Sequence, residues 1–119
     1  METININGVE YIKKEDLKFK AESVDGLDLV LIRTYSAGVH YGYLKKRTGK
    51  EVTLVNARRI WKWDGAFTLS EVATKGVSKP QNCKFSCVVP KIVLTEAIEI
   101  ITITSVAEES LKGVEDYEC

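Results

Sequence analysis

The stretch "NARRIWKWDG", Asn56 to Gly65, sets two arginines, a lysine and two tryptophans within ten residues. These side chains suit one kind of chemistry. A guanidinium holds a phosphate or carboxylate through a forked pair of hydrogen bonds, and an indole stacks on a planar base at roughly 1–3 kcal/mol per base. On a regular strand successive side chains alternate between faces. The stretch then divides into an Arg59, Trp61, Trp63 row and an Arg58, Ile60, Lys62 row. If Ile60 faces the core, Arg59 and both indoles face out together as a recognition strip. If the tryptophans are the core, the commonest use of large aromatics, Arg58 and Lys62 are solvated charges on the far face. Both arrangements are compatible with the residue pattern.

A second group lies in "RTYSAGVHYG", Arg33 to Gly42, which brings Tyr35, Ser36, Tyr41 and the chain's one histidine, His40, around a tight turn flanked by glycines. Exposed amides in such a turn make a small anion nest, with Ser36 as a further donor. The alternative for His40 is a hydrogen-bonded structural residue, the more frequent state of a lone strand histidine. Taken together, the turn and the strand Asn56–Trp63 are expected to line one pocket. Arg58 or Arg59 would meet phosphate, Trp61 or Trp63 would stack, and Ser36 and His40 would donate to ligand oxygens. Arg33, Tyr35 and Asn56 complete the candidate set.

Catalytic arrangements find less support. One histidine gives no clustered His metal site, and Cys83 and Cys87 lack a second Cys or His pair apart from the terminal Cys119, which disfavours structural zinc. Their spacing suits two buried thiols on one strand face. Ser36 and His40 could serve as nucleophile and base, but nothing like a nucleophile elbow surrounds them and no orienting carboxylate is close in sequence. The glycines are dispersed, without a phosphate-loop or dinucleotide fingerprint. Glu96 and Glu99 in "TEAIEI" read as exposed acids on a strand. No enzyme and no cofactor is expected.

The elements that must position these residues are short. "TININGVEYI" carries an Asn7-Gly8 pair between alternating apolar residues, the signature of a type I′ hairpin. "KKEDLKFKAES" reads as a polar connector. "LDLVLIRTY" suits a buried central strand, "SAG" turns the chain, and "VHYGYLKKR" returns. "EVTLVNARRIWKW" is one bent strand or two. "TLSEVATKG" has Thr68 and Glu71 at capping-box spacing, Gly76 at a left-handed stop and Pro80 beyond, which predicts a helix. "CKFSCVV" and "IVLTEAIEIITIT" give two or three strands. "SVAEESLKG" repeats the helix device, with Ser105 and Glu108 as the box and Gly113 as the stop. The tail "VEDYEC" is expected to fray. The sum is an α+β domain, a small mainly antiparallel sheet or half-open barrel of about six or seven strands with two short helices. Residues 1–119 form one domain: hairpin and connector over 1–26, core over 27–112, acidic tail over 113–119.

The chain has 119 residues, 45% of them hydrophobic and 29% charged, and its apolar runs are too short for a membrane span. "METININGVEY" lacks the basic and apolar regions of a signal peptide. Three cysteines, an odd number, fit a reducing cytoplasm better than a disulfide framework. The net charge of zero hides a pattern. Residues 1–32 sum to −3, residues 33–62 to +7, residues 63–94 to +2 and residues 95–119 to −6. A basic middle between acidic ends either pairs across the fold and between subunits or leaves cations open to an anionic partner.

At "RTYSAGVHYGYL" and "NARRIWKWDGAFTLSEVATKGV" the chain resembles a family of small, uncharacterised proteins from tailed phages and their prophages, over about Leu29 to Ser105. The shared residues include Arg33, Tyr35, Ser36, Gly38, His40, Gly42, Asn56, Arg58, Arg59, Trp61 and Trp63. The resemblance implies a phage source and the cytoplasm of an infected bacterial host. It is compatible with small, oligomeric proteins that capture nucleotide signals and with inhibitors that bind host proteins. With the basic aromatic strip, the expectation is a homo-oligomeric binding protein that sequesters a nucleotide-like anionic small molecule. The alternatives are an inhibitor gripping a host protein through the same strip, and a single-stranded nucleic-acid binder, which the neutral total charge disfavours.

Overall fold

The computed structural model describes residues 20–118. The expected Asn7-Gly8 hairpin and most of the polar connector lie outside them. The elements are β1 (Leu29–Thr34), β2 (Val39–Thr48), β3 (Glu51–Lys62), α1 (Leu69–Lys75), a 3-10 turn (Pro80–Asn82), β4 (Lys84–Ser86), β5 (Val89–Leu94), β6 (Ala97–Thr102), α2 (Ser105–Lys112) and β7 (Asp116–Glu118). They make the expected α+β architecture, one open seven-stranded sheet with two short helices. The strand order is β6-β1-β2-β3-β4-β7, with β5 also paired to β3. All pairs are antiparallel except β4 with β7. Among the described residues no helix is long and apolar enough to cross a membrane.

The run "LVLIRT" forms β1 because its branched residues have apolar surroundings on both faces of the sheet. Leu29 and Leu31 join a core under the helices, with Tyr41, Tyr43, Ile60 and Phe85 from the sheet, Val72 and Ala73 from α1 and Ala107 and Leu111 from α2. Val30 and Ile32 point the other way, into a second cluster with Val52, Leu54, Ala57, Leu94 and Ala97. That second cluster exists because the sheet curls. Only Thr95 and Glu96 join β5 to β6, yet β5 pairs with β3 and β6 with β1, two strands away in the order. The Ala97 amide donates to the Lys50 carbonyl at 2.9 Å, tying the start of β6 to the β2–β3 turn. The result is a half-barrel, helices outside and the second cluster within.

"EVTLVNARRIWK" is one bent strand. Tyr41 and Tyr43 of β2 face Arg58 and Val55 of β3, so Gly42 lies against two residues, Asn56 and Ala57. Asn56 takes up the extra length with φ of 50°, a left-handed conformation that asparagine tolerates better than most residues.

Both helices start on a threonine. The Thr68 hydroxyl accepts from the Glu71 amide at 3.1 Å, and the Glu71 carboxylate accepts from the Phe67 amide, one residue earlier than a capping box would have it. For α2 the expected cap, Ser105, is displaced by Thr104, whose hydroxyl accepts from the Ala107 amide at 3.0 Å and donates to the Thr74 carbonyl. The Thr104 amide also donates to the Ala73 carbonyl, so the end of α1 holds Thr104 extended ahead of the helix. The tail does not fray as expected through Glu118. Val114 is buried, Asp116–Glu118 pairs in parallel with β4, and Asp116 meets a buried arginine. Cys83 and Cys87 flank β4 instead of sharing one of its faces, with Cys83 buried and Cys87 half-buried.

Candidate functional site

The bulge at Asn56 decides the phase of the aromatic strip. Val52 and Leu54 face the interior of the curl. Unbroken alternation would send Asn56, Arg58 and Ile60 after them. The extra residue shifts the phase, so Ala57, Arg59 and Trp61 continue the interior row while Ile60 joins the helix-side core. Arg59 is exposed and Trp61 is 53% exposed. The strip is therefore shorter than either sequence arrangement allows. Trp63 lies past the end of β3 and packs half-buried against the helix-side core, as Ala66 and Leu69 do.

The neighbouring arginines have opposite situations. Arg58, expected either to bind phosphate or to be solvated, is 4% exposed and held inside the protein. Its Nε donates to the Ser86 carbonyl at 2.7 Å, one terminal nitrogen donates to the Tyr41 hydroxyl and the Leu111 carbonyl, and the other meets Asp116 at 2.9 Å. The guanidinium also stacks 5.1 Å from the centre of the Phe85 ring. Burial raises the pKa of Tyr41, with Arg58 opposing that rise. Arg58 thus joins β3, β4, the end of α2 and β7. Arg59 has no side-chain hydrogen bond or ion pair among the described residues, so it alone of the two presents its guanidinium to solvent.

A cavity of about 320 Å³ opens beside this row. It lies where the edge of β3 changes partner, from Val89 of β5 opposite Ala57 to Phe85 of β4 opposite Ile60. His40, Ala57, Arg58, Arg59, Trp61, Ser86, Cys87, Val89 and Ile92 line it. Ala57 and His40 are buried behind its wall, at 0% and 1% exposure, while Arg59 and Trp61 are exposed. Tyr117 of β7 meets Trp61 edge-on, ring centres 5.9 Å apart. The Ser86 hydroxyl accepts from the Arg59 amide and donates to the Cys87 carbonyl, both at 2.9 Å, which steadies the break between β4 and β5.

His40 sits opposite Arg59 in the β2–β3 pairing. Its Nε2 lies 2.9 Å from the Ala37 carbonyl, an acceptor only, so Nε2 carries the proton and donates. Nδ1 then offers a lone pair, and it is buried with no partner among the described residues. Burial lowers the His40 pKa; the Ala37 carbonyl opposes this and the Arg59 charge adds to it. With Nε2 committed to Ala37, the ring has no free donor for a ligand, in contrast to the donor role expected from the sequence.

The rest of the turn does not reach the cavity. Two amides of the turn are already used: Ala37 donates to the Thr34 hydroxyl at 2.8 Å and Tyr35 to the Glu96 carbonyl at 3.0 Å. Ser36 donates to the Glu96 carboxylate, so neither it nor His40 bonds the other as nucleophile and base would. Arg33 pairs with Glu99 at 3.4 Å, and Tyr35 is 79% exposed. Asn56 opens on a different groove of about 590 Å³, beside Tyr41, Tyr43, Lys112 and Asp116. Of the candidate residues, His40, Arg58, Arg59 and Trp61 come together at one cavity. Ser86, Val89 and Ile92 are additions, and their sequence signal was only that of strands of unassigned partner.

The basic block is partly balanced within the fold, since Arg33 and Arg58 pair with Glu99 and Asp116 of the acidic C-terminal segment. Lys45, Lys46, Lys50, Arg59 and Lys62 form no ion pair among the described residues. No curated protein and no solved structure matches the chain significantly. Residues 27–111, which include the whole interior row and every lining residue of the cavity, match the family model described as Domain of unknown function (DUF6948), and the chain belongs to that family.

Proposed function

We propose that this is a non-enzymatic binding protein of phage type that captures a nucleotide-like anion in the cavity between β3, β4 and β5. The observation that carries this reading is the pairing of Arg59 and Trp61 at the mouth of that cavity, the guanidinium unengaged and the indole half-exposed. Arg59 supplies the forked donor that a phosphate needs, and Trp61 supplies a stacking surface for a base. The apolar wall of Ala57, Val89 and Ile92 lowers the cost of seating a flat ring. Capture of a host nucleotide signal is the biological role that fits such a site. Thermal shift against cyclic and linear nucleotides tests it, because ligand at 100 times Kd stabilises by roughly 2.7 kcal/mol. Arg59→Glu and Trp61→Ala should abolish the shift without unfolding the protein. If no nucleotide raises the melting temperature, the reading fails.

A second reading rests on the contact between Trp61 and Tyr117. Both rings are 53% exposed, and Lys84 lies 4.8 Å from the Tyr117 ring centre. An exposed basic aromatic patch is also the material of a protein-binding hot spot. A defined host protein retained by the wild type and lost with Trp61→Ala, without any nucleotide effect, would favour inhibition over capture.

A further inference from the structure

We infer that Cys87 and Cys119 form a reversible disulfide that fastens β7 beside the cavity when oxidised and frees its end when reduced. The inference stands apart from nucleotide capture. Cys87 is disulfide-bonded, and Cys83 carries a free thiol. The chain has three cysteines, and the third is Cys119, which follows Glu118 and lies outside the described residues. The odd count that argued against a disulfide framework is met by leaving Cys83 over. Cys83 is engaged elsewhere: it is buried ahead of β4, and its Sγ accepts from the Asp64 amide at 3.3 Å. The strand register supports the remaining pair. β4 and β7 run parallel, with Phe85 opposite Asp116 and Ser86 opposite Glu118. One further step on each strand brings Cys119 opposite Cys87. Neighbouring strands lie about 4.8 Å apart, within the roughly 4.4–6.8 Å that a disulfide requires between Cα atoms.

The bond sits where it acts on the cavity and where a reductant reaches it. Cys87 lines the cavity and is half-buried. β7 is a three-residue edge strand, paired only with β4 among the described residues. Its Tyr117 meets Trp61, which lines the same cavity, and its Asp116 meets Arg58. Without the covalent tie, the end of β7 depends on those contacts and a short parallel ladder. Exposed disulfides are the ones that exchange with small thiols, and in a reducing compartment such bonds are transient and redox-sensing. Closure is a two-electron oxidation by a small-molecule disulfide such as oxidised glutathione. One cysteine thiolate attacks a glutathione sulfur and expels one glutathione thiolate. The second cysteine thiolate attacks the mixed disulfide and expels the other. Two electrons and the two cysteine protons leave with the two glutathione thiols. Closure thereby sets whether Tyr117 braces Trp61.

Equilibrating the whole chain in glutathione mixtures, from fully oxidised to fully reduced, tests this. Alkylation after unfolding should count one free thiol at the oxidised end of the series and three at the reduced end. Peptide mapping of the oxidised chain should join Cys87 to Cys119. Reduction should speed amide hydrogen exchange over Asp116–Glu118 at least about tenfold. It should also lower the urea midpoint by roughly 1 M. Cys119→Ser should show the reduced exchange rate in every mixture, and Cys83→Ala should still switch. Three free thiols throughout, or a bond to Cys83, overturns the pairing. One free thiol throughout, or hydrogen exchange that reduction leaves unchanged, overturns the switch.

Discussion

Adjacent residues Arg58 and Arg59 should respond to the same substitution in opposite ways. Arg58→Met keeps most of the aliphatic bulk over Phe85 but removes donors to Ser86, Tyr41, Leu111 and Asp116. Not all of these count equally. The Leu111 carbonyl still accepts from the Tyr41 hydroxyl at 3.3 Å, which limits its loss. Asp116 has a side chain 58% exposed and can be rehydrated, so its share is that of a screened surface pair, under about 1 kcal/mol. The Ser86 carbonyl and the Tyr41 hydroxyl lose a charged donor in partly or fully buried positions, at about 1–3 kcal/mol each. A total near 3 kcal/mol is a large part of the roughly 5–15 kcal/mol that holds a domain together. With a urea slope of about 2 kcal/mol/M, the unfolding midpoint should fall by about 1.5 M. Arg59→Met should leave the stability within about 0.5 kcal/mol of wild type, as for other surface changes, and should remove nucleotide binding. Asp116→Asn should fall between them. A loss under about 1 kcal/mol for Arg58→Met would refute the assignment of Arg58 as the pin between sheet and C-terminal segment.

Three more outcomes follow from the same geometry. Acrylamide should quench Trp61 and largely spare Trp63, so Trp61→Phe should remove the quenchable part of the fluorescence; equal quenching of both indoles would contradict the packing of Trp63. Gly42→Ala should destabilise by about 1–3 kcal/mol through overpacking, because an added Cβ would lie 2.9 Å from the Ala57 Cβ at the bulge; denaturation measures the loss, and Ala57→Gly should restore part of it. His40 should make the fold sensitive to mild acid. Its folded pKa lies below the ordinary 6.5, so below that pH the unfolded chain binds a proton that the folded chain refuses, and stability falls until the folded value is passed. Urea midpoints between about pH 5 and pH 7.5 should show this slope in the wild type and not in His40→Phe.

Much of this molecule is local and was legible as such. The turn after Tyr35 and the threonine-capped start of α1 depend on neighbours a few residues away, and both formed where their residues predicted, as did the strand "LVLIRT", whose apolar surroundings come from distant elements. The Thr104 cap was missed by one position because the deciding bonds come from Ala73 and Thr74, thirty residues back. The tail was misread for a similar reason: nothing in "VEDYEC" announces that Arg58 awaits Asp116.

The aromatic strip shows where local reading stops. Residue types and alternation determined that Arg58 and Arg59 must face opposite sides, and left open whether Ile60 or the tryptophans took the core. They also marked His40 and Trp61 as residues to watch. Which arginine would be buried was settled by long-range pairing. The bulge at Asn56, set against Gly42, fixes the phase of the row, and the change of partner from β5 to β4 opens the cavity beneath it. A two-residue repeat carries no information about phase once one extra residue is admitted, and only the strand lying opposite determines where that residue goes.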